Sequence, residues 1–369
     1  MISFRGEQGE ASLRATRWTG ADVPRSGTAE GSGVGAGSQM NQDRTEIRAR
    51  LRYLGAKDVA ACLPGPSRQL ELATMGLLAL ARDDAEMPPK TVLRLRTGCQ
   101  LEAMPCWHKT AGLVGIKWVA ESAMNQGRGL PAVHALLVLN APDTGIPTWI
   151  MDASAITAVR TAAVTGAAVR ALAPPTARRA AIIGAGVQGR SHLRMLGSLL
   201  PGITISAHDR DPERAEAFAT WARGQQGIGS VQVRPTGREA VSDAEIVVTA
   251  AALGSMSQVM QPDWLPPECL VVALDDDTYV SATLAASAER FVVDDRPQFL
   301  AYRAHDSFKG YPDPAETLGE VIGRGSKGSP QARGRVLVTS IGVAVVDILF
   351  AEEVRKIAEG RGLGIELER

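Results

Sequence analysis

Between residues 42 and 155 the apolar positions come in short runs. LGAKDVAACLP reads as a helix after a short strand, and KTVLRLR, GLVGIKWVA, AVHALLVLN and PTWIMDA read as strands separated by Gly, Pro and Asn turns. A strand-rich segment with few helices predicts an α+β domain. The pattern changes at Ser154. There SAITAVRTAAVTGAAVRALA places small and apolar residues at helical spacing and stops at Pro174 and Pro175, which predicts one long connecting helix. Beyond it, RRAAIIGAG, TISAHD, VQVRP, EIVVTAA, CLVVALD and RFVVDD are short β-branched runs, with helical stretches such as SHLRMLGSLL and PERAEAFATWARG between several of them. This alternation requires crossover connections and predicts a parallel, doubly wound sheet. Near the end, GRVLVTSIGVAVVDILFAEEVRKIAEG predicts a strand, a glycine turn and an amphipathic helix that packs back on the first domain.

Composition adds limits. Residues 20–41 are rich in Gly and Ser and poor in large apolar side chains, so residues 1–41 are expected to form a disordered tail. Lys plus Arg and Asp plus Glu each number 40 in the 369-residue chain. That balance gives no general attraction to nucleic acid or to an anionic membrane, and fits a small, weakly charged ligand. No apolar run approaches the roughly 20 residues needed to cross a bilayer, and the start lacks the apolar core of a signal peptide. The expected location is the cytoplasm. Cys62, Cys99, Cys106 and Cys269 are widely spaced and form no C-x-x-C pair, so they are read as reduced thiols, with no metal site expected.

The most specific local motif is Gly184-Ala185-Gly186-Val187-Gln188-Gly189, preceded by the strand AAII and followed by a helix. In a G-x-G-x-x-G turn the first glycine serves the tight turn, the second the approach of backbone to a pyrophosphate, and the third the packing of helix on strand. The helix N-terminus then offers unpaired N–H groups to phosphates. The next strand ends in Asp209, about 25 residues past Gly184, near the spacing at which an acid meets the adenosine ribose. Asp209 favours NAD. Arg210 beside it, with Arg214 nearby, keeps NADP possible. Thr249 and Ala250 end the fourth strand with small residues and are read either as a wall beside the nicotinamide or as core packing.

At these residues the chain resembles the ornithine cyclodeaminase/mu-crystallin family. VRTAAVTGAAVRAL, AIIGAGVQGRSHL, HDRDPERAEAF, LGEVIGRG and SIGVAVVD carry the resemblance, which runs from about Leu54 to the C-terminus. WHKTAGLVGIKWVAESAMNQG and AVHALLVLN resemble the branch of N-(1-amino-1-carboxyethyl)glutamate dehydrogenases of diaminopropionate biosynthesis. The resemblance implies an α/β Rossmann domain, residues 158–331, inserted into an α+β substrate-binding and dimerisation domain made of residues 42–157 and 332–369. It implies a homodimer, and basic residues that bind the substrate α-carboxylate. These fall on Lys90 in MPPKTVL, where arginine is usual, on Lys117 in GIKWV, which is also implied to be catalytic, and on Arg160 in VRTAA. Thr161 and the Gly184 loop, with Val187 and Gln188 inside it, are implied to bind the cofactor.

The family chemistry is hydride transfer at Cα of an α-amino acid or its imine, with a carboxylate that handles the amine proton. LVVALDDD, running into Asp275, Asp276 and Asp277, is the place to seek that carboxylate, because ligands of open α/β sheets bind at the carboxyl ends of the strands. The family's I-G-x-D ending, counted from Leu274, falls on Asp277. The Pro and Lys usual after it are missing and the following loop is shorter, which leaves Asp276 as the alternative. The expected function is an NAD(P)-dependent amino acid dehydrogenase or imine reductase. The alternatives are a cyclodeaminase with catalytic NAD, releasing ammonia from ornithine or lysine, and a mu-crystallin-like binding protein without turnover. His108 in CWHKT, Asp347 in GVAVVD and the pair Asp294-Asp295 are read as structural, Asp347 as a cap or salt-bridge partner and the pair as turn residues.

Overall fold

The computed structural model describes residues 50–95, 98–251, 257–328 and 334–368, so the expected tail over 1–41 lies outside the described residues. The N-terminal part contains β1 (Leu51–Leu54), α1 (Ala56–Ala61), α2 (Pro66–Ala81), β2 (Ala85–Glu86), β3 (Thr91–Arg94), β4 (Cys99–His108), β5 (Leu113–Ser122), β6 (Val133–Asn140) and β7 (Pro147–Asp152). After α3 (Ser154–Leu172) come β8 (Arg179–Ile183), α4 (Val187–Leu199), β9 (Ile203–His208), α5 (Pro212–Ala222), β10 (Ile228–Val233), α6 (Gly237–Val241) and β11 (Ile246–Thr249). The chain continues through β12 (Cys269–Ala273), α7 (Ala282–Ser287), β13 (Arg290–Val293), α8 (Arg296–Arg303), β14 (Glu316–Thr317), α9 (Leu318–Gly328) and β15 (Arg335–Thr339). It closes with α10 (Ala344–Gly360) and β16 (Ile365–Leu367).

Two sheets result. The first runs β16-β1-β7-β6-β5-β4-β2, with β3 also on β4, and is antiparallel except where β1 meets β7. Alternation along β5 buries Gly115, Lys117 and Val119 on one face and turns Trp118 outward. The second sheet, β10-β9-β8-β11-β12-β15-β13-β14, is parallel throughout. Its first five strands reproduce the doubly wound order that reverses between β8 and β11, which opens a crevice at the carboxyl ends of the strands there. Because this sheet's segment lies between β7 and β16, a Rossmann-type unit is inserted into the segment that forms the first sheet, as the sequence leads one to expect.

One boundary differs. β15 pairs with β12 and β13, so the second sheet extends past residue 331 to Thr339, and only α10 and β16 return to the first. RVLVT is a run without alternation, buried from Val336 onward, and only a central parallel position covers both of its faces. α10 then packs on α2, α3, β4, β5 and β6, as its amphipathic pattern predicts. α3 is long and apolar enough to read as a membrane span, yet its side chains from Ile156 to Val169 are almost all packed within the protein. Among the elements not evident in the apolar pattern are α2, and β4, whose run CQLEAMPCWH is interrupted by Glu102 and Pro105.

Candidate active site

The glycine turn sits at the crevice. Buried β8 runs into Gly184, whose φ of +103° is open to glycine but strained for other residues. A Cβ there would overlap the Ala250 carbonyl oxygen, and one at Gly189 would overlap the Gly184 carbonyl oxygen, so helix and strand approach as closely as backbone allows. At Gly186 the nearest atom to such a Cβ is Arg214 Nη2 at 3.7 Å, which leaves a face for a phosphate to approach. Val187 is exposed, and Gln188 Oε1 is buried without a hydrogen-bond partner among the described residues.

Asp209 accepts from the Ala185 amide (2.8 Å) and, through its other oxygen, from the Asp211 amide (3.0 Å). It therefore braces the glycine turn and retains lone pairs toward a ribose. Arg210 is exposed beside it. Thr161 is buried and donates to the Thr157 carbonyl (2.7 Å), while Ser191 of α4 donates to the Ala158 carbonyl (2.9 Å) and ties this part of α3 to the start of α4. Thr249 departs from the reading as a nicotinamide wall. It is fully buried and its hydroxyl donates to Asp275 Oδ1 (2.9 Å), so it holds an acid; half-buried Ala250 alone reaches the edge.

Facing this edge, the inner side of the first sheet carries a buried cluster of charges. Lys117 Nζ donates to Asp347 Oδ1 (2.8 Å), and Arg160 Nε lies 3.0 Å from the same oxygen as an ion pair without hydrogen-bond alignment. The residues are 1%, 0% and 5% exposed for Lys117, Asp347 and Arg160. Arg160 Nε and Nη1 and Asp347 Oδ2 have no hydrogen-bond partner among the described residues. Burying such groups unmet is costly, and a ligand carboxylate supplies what a guanidinium lacks. Burial, reinforced by Arg160, pushes the Lys117 ammonium down to about 8, although Asp347 opposes this.

Gly342, at φ +97°, makes room for the guanidinium: a Cβ there would lie 2.8 Å from Nη1 and 2.9 Å from Nη2. Asp294 fixes that turn by accepting from the Ser340 hydroxyl (3.1 Å) and the Gly342 amide (2.6 Å), so it is a buried brace rather than a turn residue. Asp295 caps α8 through the Gln298 amide (2.9 Å).

Lys90 reaches the same cluster, but its ammonium is already committed. It donates to the Ile341 carbonyl (2.6 Å), pairs with Glu102 Oε2 (3.1 Å) and lies 5.4 Å from the Tyr302 ring centroid. Lys90 thus stands in the cluster with Glu102 as its counter-ion, with one of its three N–H donors left over. Glu102 also accepts from the Tyr302 hydroxyl (2.6 Å) and Gln100 Nε2 (2.8 Å). Burial opposes its charge, but Lys90, Tyr302 and Gln100 hold it down to about 2.

The three aspartates after β12 separate. Asp275 accepts from Thr249 and, at Oδ2, from the Ala251 amide (2.9 Å), and is buried. Asp277, expected to be catalytic, is also buried. Its Oδ2 accepts from the Phe308 amide (2.8 Å) and from Gln258 Nε2 (3.4 Å), so it anchors the 305–311 loop. Asp276 is the one that faces the cluster. At φ +51° its backbone turns left-handed and its half-buried carboxyl points into the field of Lys90, Glu102 and Glu121. Burial pushes it up to about 7; Lys90 opposes, and Glu102 and Glu121 add to the rise. Of the two candidates Asp277 and Asp276, it is Asp276 that lies beside the charge cluster, while Asp277 is taken up by the Phe308 amide. His108, by contrast, lies toward the other end of β4, with Nδ1 3.6 Å from Asp84. Glu102, Tyr302, Gln100 and Glu121 belong to the site although no motif marked them.

A doubly wound nucleotide-binding sheet whose carboxyl edge meets a buried Lys–Arg–Asp cluster places this chain among two-part dinucleotide-dependent folds with a separate substrate sheet. A sequence model of the ornithine cyclodeaminase/mu-crystallin family matches residues 66–362, and the chain belongs to that family. It is 33% identical to the nodulation efficiency protein NfeD of Rhizobium meliloti over 86% of this chain and 98% of that protein. It is 30% identical to an alanine dehydrogenase of Archaeoglobus fulgidus over 77% of this chain and 88% of that enzyme. Among solved structures, an archaeal alanine dehydrogenase dimer with bound NAD superposes with a TM-score of 0.76 at 28% identity, covering 86% of this chain and 99% of that one.

Proposed function

We propose that this protein is an NAD-dependent oxidoreductase acting on the Cα–N bond of an α-amino acid or its imine. The observation that carries this reading is that Asp276, just past the end of β12, and Arg160 with its unmet donors both lie in the field of Lys90. The alanine dehydrogenase relative supports it. The glycine turn, open at Gly186 and braced by Asp209, fits a dinucleotide, and NAD fits the acid there better than a 2′-phosphate would. When bound, the nicotinamide supplies the hydride acceptor or donor at Cα. Arg160 and Lys117 hold the α-carboxylate and so fix Cα, with Asp347 as their shared counter-ion. Asp276 takes the proton from the α-ammonium as general base, and returns it in the reductive direction. The test is nicotinamide binding together with NADH formation or consumption across a panel of amino acids and imines. Neither binding nor turnover would defeat the reading.

The protonation of Asp276 sets a pH signature. Oxidation needs its carboxylate, so turnover should rise as pH increases through about 7. Stability should move the other way. The folded carboxyl holds its proton up to about 7, whereas the unfolded one loses it near about 3.9, so the native state binds more protons between these values and loses stability as pH rises across them. Opposed slopes of turnover and melting temperature in this window are the expected measurement.

A homodimer completes the reading. The outer face of the first sheet exposes Leu93, Trp107, Trp118 and Leu136 at 51%, 43%, 40% and 44%. The register sets Trp118 opposite Leu136, so these side chains sit on adjoining strands. An apolar sheet face of this kind fits a second copy of the chain, and the similar alanine dehydrogenase is a dimer. Trp118→Asp should convert the dimer to monomers in light scattering, with the melting temperature then independent of the parent's concentration dependence.

A further inference from the structure

α3 and α4 each carry one half of what the proposed reaction must bring together. α3 holds Arg160 of the substrate anchor, and α4 starts at the glycine turn, where cofactor phosphates are received. The two helices meet at close range: a Cβ on Gly166 of α3 would lie 2.9 Å from both Cγ and Sδ of Met195 on α4. Next to Gly166, Thr165 is 1% exposed, and its hydroxyl lies 2.9 Å from Nε2 of the wholly buried His192. The other ring nitrogen, Nδ1, lies 2.8 Å from the Gln188 carbonyl oxygen.

The hydrogens follow from the partners. A carbonyl oxygen only accepts, so Nδ1 carries the proton and Nε2 keeps a lone pair, to which the Thr165 hydroxyl donates. Burial lowers the imidazole to about 4, so near neutral pH the ring is uncharged and holds this one tautomer. A chain of directed bonds thus runs from Thr165, through the ring, to the backbone of Gln188 inside the G-x-G-x-x-G turn. Its other end is about 7.5 Å along α3 from Arg160.

No step of the proposed chemistry uses these bonds, and the stability of the seam does not require them. A buried polar pair adds little over apolar groups of the same shape. What the pair does supply is register, because its bonds close at only one placement of α4 on α3. Resting on the proposed hydride transfer at Cα, we infer that His192 is a positioning residue: by tying Gln188 in the cofactor turn to Thr165 on the helix of Arg160, it fixes the distance between cofactor and substrate and couples their binding. Hydride transfer is sensitive to such placement, since a shift of about 1 Å can cost roughly 100-fold in rate.

Three variants make the test. Thr165→Ser keeps the hydroxyl, Thr165→Val keeps the shape without it, and Thr165→Val combined with His192→Leu removes both partners, so that no ring nitrogen is left unmet. Each is compared with the parent by NADH fluorescence titration, by melting temperature, by kcat and KM on the best amino acid of the activity panel, and by hydrogen exchange of α3 with and without NADH. Thr165→Ser, the conservative replacement, should keep most of the parent's kcat. Thr165→Val and the double variant should lose about 10- to 100-fold in kcat with NADH affinity and KM little changed. The double variant should regain the parent's melting temperature but not its kcat. NADH should slow exchange around residues 157–165 of α3 in the parent, and this protection should vanish in the double variant. A purely structural pair behaves otherwise: kcat returns together with the melting temperature, or NADH protects α3 in the double variant as in the parent, and either result overturns the inference. NADH that binds the parent without protecting α3 overturns it too and leaves the proposed function standing, whereas no NADH binding at all defeats both.

Discussion

Asp276→Asn should lower turnover by about 10²- to 10⁴-fold while leaving cofactor affinity intact, because it removes the proton acceptor and nothing that touches the glycine turn. The variant is expected to fold. Asparagine is among the few residues that tolerate a left-handed backbone, which this position adopts at φ +51°. It also replaces a carboxyl already pushed up to about 7 by burial, so above that pH the variant should equal or exceed the parent in stability. Loss of activity without loss of stability is the mark of a group kept for chemistry at some cost to the fold.

Its neighbour should behave in the opposite way. Asp277→Ala deprives the Phe308 amide of its acceptor, at an expected cost of about 1–3 kcal/mol, with the folded fraction still active. Cofactor titration, steady-state kinetics and melting curves on the two variants make the comparison. Full turnover in Asp276→Asn, together with a dead but stable Asp277→Ala, would restore Asp277 as the base.

The different outcomes for these adjacent acids show what the sequence carries and where it stops. Gly184 and Gly189 were legible because their role is a backbone requirement with a fixed local spacing. Lys117 and Arg160 were reached mainly through the family resemblance, and their setting agrees with it, because a charge inside an apolar strand or an alanine-rich helix needs an anion. Choosing among Asp275, Asp276 and Asp277 needed other knowledge. It depends on one positive φ and on the Phe308 amide closing over Asp277 from 31 residues away, neither of which has a local signature. Glu102 and Glu121 escaped notice for a related reason. Glu102 sits on β4, whose pattern Pro105 interrupts between the stretches paired with β3 and β2; Glu121 looks like the polar end of a strand until the register is known. The place of β15 in the second sheet is likewise a pairing between distant segments, invisible to periodicity.

Asp347→Asn should cost about 3–5 kcal/mol of stability at neutral pH, because it leaves Lys117 and Arg160 buried side by side without the carboxylate that neutralises them. The side chain keeps its shape, so the loss reads charge rather than packing. Lys117 offers the relief. Burial and Arg160 already lower its ammonium to about 8, and without Asp347, which opposes that shift, it should titrate lower still and fold as the neutral amine. The unfolded lysine keeps its proton to about 10.4, so the unfolded state binds more protons in this range and the variant should gain stability as pH rises from neutrality. This slope is opposite to that expected from Asp276. Neutral Lys117 also leaves Arg160 to hold the substrate carboxylate, which raises KM more than it lowers kcat. Melting temperature against pH, with KM in parallel, decides the matter: a variant as stable as the parent, with unaltered KM, would mean that Asp347 is not the counter-ion on which the substrate anchor depends.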